Sequence, residues 1–248
     1  MNVVAVIPAR YGSTRLPGKP LKLIGDKPMV WWVYTRLKNI KSIHDIYVAT
    51  DDERISEVCK KYNINCIMTS SKHQTAANRL QEVSNTIPAD FYLQINGDEP
   101  LVDVKAVEAA IVDEIPNDVE YGTNIITEIK NPAHVLDPSN IKVVFDDKFR
   151  ALYMSRCPIP FPFKSIKHKY YKHVGIIGYN KKMLDFYANS EPGKFEKIEG
   201  IDTLRFLDYG KILQFVEVES CESLSVDTEK DLEVVKKLLE PEDKNAVR

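Results

Sequence analysis

An α/β fold with a mostly parallel central sheet flanked by helices follows from three observations. Short β-branched runs alternate with longer helical patterns through the first half of the chain; polar motifs stand directly after those runs; and the second half is β-rich with hairpin-like spacing. At 248 residues the chain lies near the upper limit of a single hydrophobic core. We therefore expect one domain over residues 1–240, a smaller β-rich excursion within 120–180, and a tail at 241–248.

The first strand is expected at Val3–Ile7 of MNVVAVIPARYG, an apolar run too short for a secretory or membrane-spanning segment, so a cytoplasmic protein is expected. Asp45–Thr50, Asn65–Met68 and Phe91–Asn96 read as further strands, with helices near Pro28–Asn39, Asp52–Tyr62 and His73–Asn85 between them. Strand–helix–strand alternation implies crossover connections, and in such sheets ligands sit beyond the carboxyl ends of the strands. Those ends carry P-A-R-Y-G-S-T-R-L-P-G-K-P, T-D-D-E and G-D-E-P.

Tyr121–Ile129, Ile141–Phe145 and Ala151–Ser155 read as strands, Asp146-Asp147-Lys148 as a turn, and Lys172–Tyr179 as a returning strand. Ile198–Tyr209 and Asp227–Leu239 have helical patterns, with Ile212–Val218 as a strand between them. Across Cys157–Lys172, Pro158, Pro160 and Pro162 disfavour both helix and central strand. Phe161, Phe163, Tyr170 and Tyr171 make this stretch either a surface loop or a homodimer contact.

Charge excludes some partners. The 34 Lys+Arg against 36 Asp+Glu leave a net charge of −2, with no general attraction to nucleic acid or anionic lipid. Cys59, Cys66, Cys157 and Cys221 are scattered without a C-x-x-C pair, which indicates neither a zinc framework nor a disulfide scaffold.

The loop after the first strand concentrates Arg10, Arg15 and Lys19 with Gly12, Gly18, Ser13 and Thr14. Backbone N–H groups, bidentate guanidinium and a lysine point charge together suit a polyphosphate. Pro20 after Lys19 excludes a P-loop, and no G-x-G-x-x-G is present. In Gly97-Asp98-Glu99-Pro100 the glycine permits a sharp turn at the strand end and Asp98 projects where a magnesium ion would sit. Asp227 is a candidate second carboxylate, although an Asp before Thr-Glu-Lys is also what a helix N-cap looks like; Asp51 and Asp52 are read as caps. His73 to Arg79 opens a helix that could add to an anion or base site, and His173 is either a ligand contact or a core histidine.

The ordered set I-P-A-R-Y-G-S-T-R-L-P-G-K-P, I-Y-V-A-T-D, N-G-D-E-P, I-K-V-V, A-L-Y-M-S-R, H-V-G-I-I-G-Y and V-D-T-E-K-D-L resembles the bacterial CMP-Kdo synthetases, the 3-deoxy-manno-octulosonate cytidylyltransferases. The match spans almost the whole chain. The resemblance implies a Rossmann-like nucleotidyltransferase that moves CMP from CTP to an acidic sugar, Kdo first, with release of pyrophosphate. It also implies magnesium, a homodimer and a place in surface-polysaccharide (lipopolysaccharide or capsule) synthesis.

Carried over by motif, Arg10, Ser13, Arg15 and Lys19 would bind the triphosphate, and Ala9 and Arg10 would meet the cytosine. Arg79 would assist nucleotide binding, while Asp98 and Asp227 would hold magnesium and, with Lys19, form the catalytic set. Of two magnesium ions, the one on these aspartates would help activate the acceptor oxygen and the other would escort the outer phosphates. His173, Tyr179, Asp202 and Thr203 would face the acceptor.

The chain departs from the family at H-Q-T-A-A-N-R, where Ala76 and Ala77 replace Gly and a hydroxyl residue. Ile177 stands for Tyr, and Asp202 and Thr203 stand for Glu and Gln. A shortened carboxylate and a lost amide change hydrogen-bond reach toward a polyhydroxylated acid. A modified octulosonate, another sugar acid or a phosphonate is therefore the alternative acceptor, and a non-catalytic nucleotide-binding protein the alternative of another class.

Overall fold

The computed structural model describes residues 1–13, 15–165, 167–221 and 224–243. Thr14 of the expected phosphate loop and residues 244–248 of the expected tail lie outside them. The chain divides into two compact units, Met1–Glu108 with Glu222–Arg248, and Ala109–Cys221.

In the first unit, β1 (Val3–Ala9) is an uninterrupted apolar run, as expected of a strand covered on both faces. After a short 3-10 turn at Lys19–Leu21 come β2 (Leu23–Ile24) and β3 (Lys27–Pro28), a small antiparallel ribbon turned by Gly25 at φ +61°. Then follow α1 (Met29–Leu37), β4 (Asp45–Thr50), α2 (Glu53–Lys61), β5 (Cys66–Met68), α3 (Ala76–Thr86), β6 (Phe91–Ile95) and α4 (Val104–Ala109). β1 pairs in parallel with β6 on one side and β4 on the other, and β4 pairs in parallel with β5.

Caps locate the helices. The Asp52 carboxylate accepts from the Arg54 N–H, and Ile55 and Cys59, four apart, turn to the core. α3 starts at Ala76 rather than His73, because the Thr75 hydroxyl accepts the Asn78 N–H and sets the first turn there.

The second unit holds β7 (Tyr121–Glu128), α5 (Pro132–Leu136), β8 (Lys142–Phe145), β9 (Ala151–Ser155), β10 (Tyr171–Tyr179), α6 (Lys181–Asn189), α7 (Lys194–Glu199), α8 (Leu204–Asp208) and β11 (Ile212–Val218). β8 and β9 form the expected antiparallel hairpin, and β10 runs antiparallel to both β7 and β8. β11 pairs with β7 in parallel. The expected β-rich stretch at 120–180 falls inside this unit, which extends to Cys221.

Ile198–Tyr209 is not one helix. Gly200 adopts a left-handed φ of +63°, ends α7 after Glu199, and lets the chain restart as α8. Across that break Arg205 and Glu196 form a buried fork, Nη2 to Oε1 at 2.6 Å and Nε to Oε2 at 2.7 Å.

The chain then returns to the first unit. There α9 (Glu229–Asp243) begins two residues later than expected and runs past residue 240. Leu232, Val235 and Leu239 at helical spacing pack with Val226, Leu16, Ile24 and Met29 in one core cluster. This cluster joins the loop after β1 to the segment that carries Asp227.

Candidate active site

The site of the first unit is assembled at the carboxyl ends of β1 and β6. The loop that leaves β1 is folded on its own backbone: the Tyr11 carbonyl accepts from the N–H groups of Ser13 (2.9 Å) and Gly18 (3.0 Å). Gly18 is left-handed at φ +66°, which favours glycine, and an added Cβ would also crowd the Tyr11 ring at 3.0 Å. The Arg54 guanidinium lies 3.3 Å from the centre of the same ring and is held by a fork from Asp52. The Ser13 hydroxyl accepts from the Leu16 N–H, and Leu16 is buried in the core cluster.

Gly97 stands two residues after the end of β6, against the backbone of β1. A Cβ there would meet the Pro8 carbonyl at 3.0 Å, so β6 can approach β1 only without a side chain. The next residue is Asp98. Its carbonyl accepts from the Val226 N–H at 2.8 Å, and Val226 is fully buried, so the following Asp227 is delivered beside Asp98. Lys19 Nζ donates to Asp98 Oδ2 and to Asp227 Oδ1, both at 2.9 Å.

Lys19 is 9% exposed. Burial alone would lower its pKa, but the paired carboxylates of Asp98 and Asp227 outweigh it and hold the ammonium charged above its ordinary value. Arg15 Nη2 reaches Asp227 Oδ1 at 3.2 Å while staying largely exposed. Asp227 is not the cap of α9: the Thr228 hydroxyl accepts from the Asp231 N–H at 3.3 Å, and Asp231 Oδ2 accepts in return from the N–H groups of Thr228 and Asp227. The Asp52 capping role holds.

The other expected nucleotide residues are placed differently. Ala9 ends β1 and is buried, whereas Arg10 is exposed. Arg79 is buried on α3, its Nη2 paired with Asp51 Oδ2 at 3.3 Å and its Nη1 bonded to the Thr69 hydroxyl. His73 precedes the helix and contacts the Glu82 carboxylate.

The residues expected to face an acceptor all belong to the second unit. His173 is half-buried on β10, with Nδ1 2.7 Å from Asn124 Oδ1. Asp202 is exposed in the turn between α7 and α8. Tyr179 is 1% exposed and packs on Phe206, and burial, then Tyr187 and Asp202, raises its phenol pKa. Thr203 is buried with its hydroxyl 3.3 Å from the Met154 sulfur. Both side chains therefore lie in the interior of the second unit.

Residues 4–219 match the sequence profile of the cytidylyltransferases. The chain belongs to the cytidylyltransferase family. It is 37% identical to an 8-amino-3,8-dideoxy-manno-octulosonate cytidylyltransferase of Shewanella halifaxensis, over 94% of this chain and 97% of that one. It is equally 37% identical to 3-deoxy-manno-octulosonate cytidylyltransferase 2 of Hydrogenovibrio crunogenus, over 96% and 98% of the two chains. A solved CMP:2-keto-3-deoxy-manno-octonic acid synthetase complexed with CTP superposes with a TM-score of 0.91 at 36% identity, covering 98% of this chain and all of that one. This cytidylyltransferase is therefore a CTP-dependent nucleotidyltransferase, and the non-catalytic alternative is set aside.

Nucleotidyltransferases of this family generally use a divalent metal. Asp98 and Asp227 fit such an ion, since both present a carboxylate oxygen within 2.9 Å of one cationic atom and so already converge on a positive charge. Among the described residues no group of three or more His, Cys, Asp or Glu side chains gathers as a metal site would, here or elsewhere. Two carboxylates completed by phosphate and water suit a hard divalent cation. Among the described residues no helix is long and apolar enough to cross a membrane.

Proposed function

We propose that this cytidylyltransferase transfers CMP from CTP to 3-deoxy-manno-octulosonate, giving the CMP-sugar and pyrophosphate for surface-polysaccharide synthesis. The observation that carries the reading is the Lys19 ammonium shared at 2.9 Å by Asp98 and Asp227, at the mouth of a glycine-bearing cationic loop. Relatives named for octulosonate acceptors support the choice of sugar acid.

The acceptor hydroxyl attacks the α-phosphorus of CTP. The new bond is oxygen to phosphorus, the bond that breaks is to the bridging oxygen of the pyrophosphate, and the hydroxyl proton passes to solvent water. An ammonium has three donors, and the two aspartates use two in Lys19, leaving one N–H for a phosphate oxygen. Lys19 thus offsets charge on the α-phosphate and leaving group, where preorganised donors act most strongly. Arg10, Arg15 and Ser13 hold the outer phosphates, and the Ala9–Arg10 backbone meets the base. Arg79 acts through the strand ends it ties, Asp51 and Thr69. Magnesium held by Asp98 and Asp227 would supply Lewis-acid polarisation of the phosphate and acceptor oxygens.

On the acceptor side His173 and Asp202 provide the contacts, with Tyr179 and Thr203 behind them. A second reading, the 8-amino derivative as acceptor, is favoured by relatives carrying that name at the same identity. Ala77, Ile177, Asp202 and Thr203 are the positions on which the choice turns. We also place the enzyme in the cytoplasm and as a homodimer that covers Phe161 and Phe163, which are 80% and 85% exposed. Tyr170 and Tyr171 are half-buried and do not belong to that patch.

Pyrophosphate release with CTP, a divalent cation and a panel of Kdo, 8-amino-Kdo, sialic acid and simple phosphonates tests the reading. Turnover confined to one octulosonate is expected. Turnover only with sialic acid or a phosphonate would overturn the acceptor assignment.

A further inference from the structure

Strand β10 is irregular where it passes β7. His173 stands opposite Ile126 and Ile177 opposite Asn124, so five residues of β10 span three of β7. A bulge of this kind leaves carbonyls without ladder partners. The buried side chain of Asn124 supplies them: its Nδ2 donates to the carbonyls of Val174 at 2.8 Å and Ile176 at 3.1 Å, and at longer range to Ile125 at 3.3 Å.

Those bonds orient the amide. With Nδ2 committed to carbonyl oxygens, the carbonyl Oδ1 is turned toward His173 Nδ1 at 2.7 Å. An amide oxygen has no proton to give, so Nδ1 of the ring must carry one. The backbone that carries the ring is held as well, since the main-chain N–H of His173 donates to the Ile141 carbonyl at 2.9 Å. Burial, reinforced by the nearby Arg156 guanidinium, pulls the pKa of His173 down to about 4. At neutral pH the ring is therefore uncharged and its Nε2 is a bare lone pair. Nε2 has no hydrogen-bond partner among the described residues.

This decides what the histidine can recognise. An imidazolium would pair with the carboxylate of a sugar acid, whereas a bare Nε2 can only accept from a donor. We propose that Asn124 is a positioning residue that locks His173 in its Nδ1–H form, and that His173 Nε2 reads a hydroxyl or amine donor of the acceptor sugar, not its carboxylate. The proposal rests on the sugar-acid reading above. It deepens that reading by dividing the acceptor's groups between residues: the carboxylate must be met elsewhere.

Two-dimensional 15N NMR of the labelled full-length protein at pH 7 tests it, with the His173 resonances assigned from the His173→Gln variant. In the free protein Nδ1 should be protonated and Nε2 not; an Nε2–H ring or an imidazolium would overturn the lock. Saturation with the octulosonate that the pyrophosphate assay turns over should move the Nε2 resonance, and CTP alone should not. An unmoved Nε2 with a turned-over acceptor overturns the contact. Absence of turnover across the acid panel instead defeats the sugar-acid reading, and the free-protein spectrum still decides the lock.

Asn124→Asp puts a carboxylate against Nδ1–H and should favour the doubly protonated ring. We expect the acceptor KM to rise about tenfold, with the CTP KM and kcat within about threefold, the size of one hydrogen bond. Should that variant fail to fold, His173→Gln retains an oxygen that can accept as Nε2 does, and His173→Leu does not. Equal acceptor KM values for these two would overturn the proposal.

Discussion

The cationic loop cluster of the first unit and the His173 surface of the second place polar groups by opposite means. In the first, Lys19, Asp98 and Asp227 come from three separate connections and meet because apolar neighbours are buried: Leu16 and Val226 lie in one core cluster, and Gly97 lets β6 approach β1. In the second, one strand carries the histidine, and a bulge in that strand makes a neighbour's amide orient it. The lesson is that charge at a ligand edge can be positioned by distant apolar packing, while the protonation state of a neutral group is set by its immediate hydrogen-bond partner.

The comparison breaks most sharply at Asp98. Asp98→Asn removes the charge that Lys19 pairs with and that would hold the proposed divalent cation, and should lower kcat by about a thousandfold or more while leaving the unfolding transition nearly in place. Near-normal steady-state turnover would show that the cluster is structural. In the second unit the matching extreme is stability. Arg205→Met strands the buried Glu196 carboxylate and should cost about 3–5 kcal/mol in urea unfolding.

Acid sharpens the contrast further. The folded His173 titrates near 4 and an unfolded histidine near 6.5, so between those values the unfolded chain binds the extra proton. The contribution is intact above pH 6.5 and is lost as pH falls toward 4, on the order of 2–3 kcal/mol. His173→Gln should flatten that slope when unfolding free energies at pH 7 and pH 4.5 are compared. An unchanged slope would assign acid lability to other groups.

Smaller effects separate the two regions at the backbone and at the surface. Gly97→Ala forces a methyl toward the Pro8 carbonyl and should cost about 1–3 kcal/mol by thermal unfolding, with a fall in CTP binding by titration calorimetry. Phe161→Ser combined with Phe163→Ser should leave per-site turnover within about twofold, because both are exposed side chains distant in sequence from the Lys19 loop. Light scattering should then report monomers where the parent chain reports dimers.

Legibility differed for physical reasons. The parallel strands β1, β4 and β6 were readable because burial on both faces demands continuous apolar runs, and their carboxyl ends directed attention to Lys19 and Asp98. The helices were placed less well. α3 starts three residues late because Thr75 caps it, and Ile198–Tyr209 is divided at left-handed Gly200, a break that apolar periodicity does not register. The capping alternative for Asp227 was resolved only by the next residue, Thr228, whose hydroxyl accepts the Asp231 N–H and so caps α9 in its place.

Sequence by itself determined the α/β class, the cationic loop and Asp98 at a strand end, and left Asp227 a candidate, because local composition and motif order encode strand burial and charge at the strand ends. Tertiary structure alone decided that Arg79, Tyr179 and Thr203 are buried, and that Asn124 faces His173 across a bulged strand pair. Those facts depend on register and on which groups lose contact with water, and neither is a property of any short stretch of chain.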